Sequence, residues 1–113
     1  MIMKPRVALL TTTDMLNSFV DLAREDDSFE LYELRFPDAS ELESRLSEND
    51  GKFDLILAPL GIEEVLPIAK KHSKKVVGYG MPVKTLGYDY VIDCTKIKED
   101  FPLKFLEEVK KYL

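Results

Sequence analysis

Thr11-Thr12-Thr13-Asp14 follows an unbroken apolar run, Val7-Ala8-Leu9-Leu10, and precedes a helical pattern. Hydroxyls at the start of a helix, beside the free N–H groups of its first turn, can hold an anion. The same side chains can cap the helix instead, accepting those N–H groups themselves. Asp14 here and Glu63-Glu64 at the next helix start favour capping, because carboxylates at a helix N-terminus stabilise it and repel a phosphate. A magnesium ion needs only one or two carboxylates, so a cation could be held between Asp14 and Glu63 or Glu64. Gly78-Tyr79-Gly80 lacks the third glycine and the following helix of a dinucleotide fingerprint and is read as a strand end needing close backbone packing.

Elsewhere the chemistry is sparse. Cys94 is the sole cysteine, which excludes an internal disulfide and a CxxC motif. Asp89 and Asp93 beside it would raise its pKa, the opposite of what a reactive thiolate needs. His72, also alone, stands among Lys70, Lys71, Lys74 and Lys75 at a helix end, where cations are favourable. No serine or cysteine has an evident base partner in sequence. No catalytic residue, metal site or cofactor is assigned. The residues held as a candidate ligand site are Thr11, Thr12, Thr13, Asp14, Pro59, Gly61, Glu63 and Gly80.

The element that positions these groups is Phe53-Asp54-Leu55-Ile56-Leu57-Ala58-Pro59-Leu60-Gly61, whose apolar centre calls for cover on both faces, as in a parallel sheet between helices. The first strand, Arg6 to Thr11, has the same character. A helix capped by Thr12, Thr13 or Asp14 runs to about Glu25, with Met15, Leu16, Phe19, Val20 and Ala23 inward. The second strand, Phe29 to Phe36, alternates apolar residues with Glu33 and Arg35 and suits a sheet edge. Asp38, with Glu41 three residues on, reads as a capping box for a second helix carrying Ala39, Leu42 and Leu46. Asn49-Asp50-Gly51-Lys52 is a turn. A third helix begins near Gly61 and ends near His72-Ser73, with Ile62, Val65, Leu66 and Ala69 on one face. Pro67 requires either a late start or a kink there. Strands follow at Lys75 to Gly80 and Tyr88 to Asp93. Only Met81 to Gly87 separates them, where a parallel crossover usually takes about a dozen residues. The link is therefore a cramped one-turn crossover or the last strand is antiparallel, the crossover being favoured. A closing helix, Phe101 to Leu113, turns Leu103, Leu106, Val109 and Leu113 inward.

The expected fold is thus α/β: a three-layer sandwich with a five-stranded, mostly parallel sheet in the order 2-1-3-4-5 and the fourth helix shortened or missing. All 113 residues form one domain. A net charge of −5 argues against phosphate-backbone binding, and no apolar run suffices for a membrane span. Met1-Ile2-Met3-Lys4-Pro5 leads straight into strand-like sequence, so a cytoplasmic location is expected. The 33% charged fraction, with no Gln and only Asn17 and Asn49, matches a thermophilic composition.

Over nearly its whole length the layout resembles a response-regulator receiver domain. The resemblance lies in Asp-Leu-Ile-Leu at 54–57 and in Gly-Tyr-Asp-Tyr-Val at 87–91 followed by a closing helix. Receivers carry an acidic cluster after the first strand, where this chain has Thr11-Thr12-Thr13. Their phosphate-accepting aspartate falls on Ala58-Pro59, their hydroxyl position on Gly80 or Met81, and their lysine near Asp93 or Cys94. The resemblance implies a non-phosphorylated relative that keeps the scaffold. A missing fourth helix would leave Met81, Pro82, Val83, Leu86, Tyr88 and Tyr90 near a gap, as an interface for a homodimer or another protein partner. The alternatives are a loop that fills the gap itself, or a small-molecule or anion binder or enzyme using the crevice at the ends of strands one, three and four.

Overall fold

The computed structural model describes residues 4–48 and 52–113. Met1 to Met3 and Asn49 to Gly51, where the sequence leads one to expect a turn, lie outside them. Five strands, β1 (Arg6–Thr11), β2 (Glu30–Arg35), β3 (Leu55–Pro59), β4 (Val76–Gly80) and β5 (Tyr90–Asp93), form one sheet in the order β2-β1-β3-β4-β5. Every neighbouring pair is parallel, β5 included, as Val77 pairs with Tyr90 and Gly80 with Asp93. The 81–89 link makes that crossover without a helix of any kind. Glycine permits it: Gly80 and Gly87 both take positive φ, at 123° and 95°.

Helices α1 (Asn17–Glu25) and α4 (Phe101–Lys111) cover one face, and α2 (Ala39–Glu48) and α3 (Val65–His72) the other. The central strands are buried on both faces: Val7, Leu9, Leu55 and Leu57 meet α1 and α4, while Ala8, Leu10, Ile56 and Ala58 meet α2 and α3. This is why β1 and β3 show no alternation. β2, at the edge, keeps Leu34 buried and Glu30 and Arg35 exposed.

Several expected details give way to local chemistry. α1 starts at Asn17 with Leu16 in the cap position and no side-chain cap. Met15 is consequently 84% exposed and leaves the inward stripe to Leu16, Phe19, Val20 and Ala23. Asp38 does cap α2, its carboxylate accepting the Ser40 amide at 3.0 Å and the Glu41 amide, while the Glu41 side chain faces Arg45 at 3.7 Å. α3 starts late, which puts Pro67 in its first turn, where no intrahelical donor is lost. On α4 the inward residues are Phe105, Leu106 and Val109, while Leu103 and Leu113 face outward. Phe105 anchors this layer, edge-on to Phe19 at 4.7 Å and to Tyr79 at 5.8 Å between ring centroids. Burying such a ring contributes roughly 2–3 kcal/mol.

Candidate functional site

The carboxyl ends of β1, β3 and β4 bring together the residues of the candidate crevice. Parallel strands in this order leave a gap between β1 and β3, because their following helices pass to opposite faces. Thr11 is 2% exposed, and its hydroxyl lies within a tight turn, donating to the Thr13 carbonyl (3.1 Å) and accepting the Thr13 amide (3.2 Å). The Thr13 hydroxyl accepts the Met15 amide at 3.3 Å. Thr12 stands exposed. Asp14 forms an ion pair with Arg35, whose guanidinium also reaches Asn17 Oδ1 at 3.4 Å and Glu33 at 3.7 Å. Two of the three threonine hydroxyls thus hold the loop itself, and Arg35 ties the loop to β2.

Across the gap, Pro59 is half-buried and Gly61 exposed, with room beside Gly61 for a Cβ. The Leu60 amide, just after Pro59, donates to the Tyr79 carbonyl at 3.0 Å and joins the strand end to β4. Glu63 pairs with Lys84 of the 81–89 link, and this contact raises the Lys84 pKa. Asp14 and Glu63 are therefore each taken by a separate cation. No cluster of three or more His, Cys, Asp or Glu side chains suited to a metal occurs among the described residues. Gly80, at positive φ, also has open space around its Cα.

Tyr79 sits beneath the crevice. Its phenol donates to the Leu10 carbonyl at 2.6 Å, and burial pushes its pKa well up, so it stays a neutral donor. Cys94, half-buried at the end of β5, has a raised pKa, chiefly through burial and secondarily through Asp93. That direction is the one expected from sequence, with burial as the larger cause.

The six residues expected at the gap divide between the two faces of the sheet. Met81, Val83 and Leu86 are 65%, 74% and 94% exposed, and Pro82 is exposed with them. Tyr88 folds back on the α2–α3 side and packs over Gly78 together with Leu60. Tyr90 points to the other side and stacks on Tyr112 at 4.5 Å. The link fills part of the space left by the missing helix and leaves a hollow of about 520 Å³ between Leu60, Leu66, Val83, Leu86 and Tyr88. The sequence reading placed both tyrosines together. Alternation puts Tyr90 on the face of Ile92 and would put Tyr88 there too; Tyr88 escapes because β5 starts only at Tyr90, which leaves Tyr88 in the link.

Comparison with solved structures follows this geometry closely. The response regulator domain of Thermotoga maritima CheB superposes with a TM-score of 0.68 at 16% identity, over 96% of each chain. CheY4 of Vibrio cholerae gives 0.63 at 14% identity, over 97% of this chain and 99% of that one. This is the receiver fold. The complex of the phosphorylated P1 domain of CheA3 with CheY6 from R. sphaeroides also contains a chain of this shape, with a TM-score of 0.64, 17% identity and 95% and 97% coverage. No family model matches the sequence, and no curated protein matches it. The likeness is therefore one of fold; at its strand ends this chain carries Thr11 to Asp14, Pro59, Gly80 and Asp93-Cys94.

Proposed function

We propose that this chain is a non-catalytic interaction module of receiver type that works by binding protein, in the first instance a second copy of itself. The observation that carries the reading is the helix-free 81–89 link, which holds Met81, Val83 and Leu86 largely in solvent beside an apolar hollow. Contiguous exposed apolar surface of this kind marks interaction sites. The strand ends support the same reading from the other side. Thr11 and Thr13 are engaged within their own turn, and Asp14 and Glu63 within ion pairs, so no acid–base or nucleophile–base pair is assembled there. One of the receiver-fold structures above is itself a complex between two proteins.

Native mass spectrometry of the purified chain tests this. A dimer that becomes a folded monomer on Val83→Glu with Leu86→Glu is the expected outcome. A wild-type monomer, or a dimer indifferent to the two charges, removes self-association through this link. Extra mass on the wild type that is lost on Thr12→Val with Thr13→Val would instead assign a ligand to the threonine crevice.

A further inference from the structure

The end of the sheet opposite the crevice has an unusual charge balance. A hollow of about 460 Å³ there is lined by Arg6 at the start of β1, Lys52 and Asp54 before β3, Lys70 and Lys71 at the end of α3, and Lys74 in the turn to β4. Five permanent cations thus face one carboxylate in a chain whose net charge is −5. A second hollow shares Arg6, Asp54 and Lys74 and adds Lys4 and Lys75. The α3 dipole accounts for Lys70 and Lys71, since cations are favoured at a helix C-terminus. It does not account for Lys52, which arrives from another element, nor for Lys4, which pairs with Asp27 at 3.7 Å. Asp54 faces Lys74 at 3.4 Å and Glu43 faces Lys71 at 3.6 Å. Among the described residues, no carboxylate stands within ion-pair distance of Lys52 or Lys70.

We propose that this lysine-lined hollow is a docking surface for an acidic segment of a partner protein. The side chains present decide between anions. Arg6, whose fork suits a phosphate, is engaged elsewhere: its guanidinium lies 4.9 Å from the centres of the Tyr32 and Phe53 rings and donates to the Lys52 carbonyl at 2.9 Å. What remains is a set of flexible point charges, with Lys71 and Lys74 64% and 83% exposed. Such a set meets several spaced carboxylates better than one compact anion. A nucleic acid would run from the hollow onto the acidic remainder of the surface and be repelled there, whereas a short acidic peptide segment stops at its edge. This surface adjoins the 81–89 link, since Lys70 Nζ lies beside Gly87.

The test is fluorescence anisotropy of a fluorescein-labelled octaglutamate titrated with the full chain. Binding at low salt is expected, weakening at least about tenfold as ionic strength rises past the point where exposed charges are screened. Lys52→Glu with Lys70→Glu should weaken it by a further factor of about ten or more, and Lys52→Arg with Lys70→Arg should preserve it. Absence of binding at low salt, or equal binding by the charge-reversed chain, overturns the proposal, as does tighter binding of an RNA octamer. Carbodiimide coupling of the same peptide to the unsubstituted chain joins a glutamate carboxyl to a lysine amine with loss of water. Adducts at Lys52, Lys70, Lys71 or Lys74 support the site, and adducts confined to other lysines overturn it.

Discussion

Asp89 and Val76 bond to each other twice: the Asp89 amide donates to the Val76 carbonyl at 2.9 Å, and the Asp89 carboxylate accepts the Val76 amide at 2.8 Å. Asp54 and Arg6 repeat the arrangement, at 2.9 and 2.8 Å, where β3 enters beside β1. In each case a side chain stands in for the backbone acceptor that the first residue of the neighbouring strand would otherwise lack. Asp89→Ala is expected to lower stability by about 1–2 kcal/mol, the cost of stranding a partly buried amide. Asp89→Asn, which keeps an acceptor oxygen, should lose less. Urea denaturation distinguishes the two, and equal midpoints for Ala and wild type would refute the bond's contribution.

Acid should weaken the fold through two carboxylates. The Ser28 side chain, with Lys110 at 2.9 Å and the Ser28 amide, lowers the Asp26 pKa from 3.8 to about 2. The Arg6 amide, with Lys74, lowers that of Asp54. A folded-state pKa below the unfolded value contributes stability that is fully present above the unfolded value and drains as pH falls through the folded one. Thermal midpoints measured downward from neutral pH should therefore drop most steeply below about pH 4. In the Asp26→Asn, Asp54→Asn double variant, that drop should be shallower from a lower starting point. An acid limb identical to that of wild type would count against both assignments.

Gly78 is where the shortened connection is packed. A Cβ there would lie 2.3 Å from Leu60 Cδ2 and 3.0 Å from Tyr88 Cδ1. Leu60 is only 4% exposed and has little room to retreat. Gly78→Ala should cost about 1–3 kcal/mol by overpacking. Trimming the obstacle, as in Gly78→Ala with Leu60→Ala, should show a coupling energy that recovers part of the loss. Strict additivity in that double-mutant cycle would mean the contact is not what limits the site.

The Tyr79 phenol spans β3 to reach Leu10 on β1, while its ring meets Phe105. Tyr79→Phe keeps the ring and removes the donor, so a loss of about 1 kcal/mol is expected. Because burial raises the phenol's pKa, no tyrosinate absorbance from this residue should appear in a mildly alkaline titration. A tyrosine titrating near its ordinary value in wild type but missing from the Phe variant would contradict the buried bond.

Much of the sheet was legible in the sequence. The unbroken runs Val7-Leu10 and Leu55-Ala58 can sit only where both faces are covered, and Glu33 and Arg35 can sit only at an edge, so the strand order follows. The start of α2 was legible in Asp38, but that of α1 was not, because Thr11 and Thr13 serve a tight turn as readily as a helix cap. Leu103 and Leu113 carry the right residue type for the core, yet Phe105 takes the inward position. Phe53-Asp54-Leu55-Ile56 and Tyr88-Asp89-Tyr90-Val91 share a pattern of aromatic, aspartate and apolar residues, but what each aspartate bonds to is a lateral contact between distant segments. The lysine hollow likewise draws on three separate stretches, each of which alone reads as an ordinary solvated charge.

The glycine-bounded link between β4 and β5 also bears on how the chain assembles. Val77 meets Tyr90 across fewer intervening residues than separate the partners in any other strand pair of the sheet. Closing that loop costs the least chain entropy, so β4 and β5 form the cheapest non-local contact available to the unfolded polypeptide. By contrast, β1 and β3 cannot join until all of α1, β2 and α2 has been gathered in between. The omitted helix thus leaves the last two strands as a compact seed against which the more distant half of the sheet can be ordered.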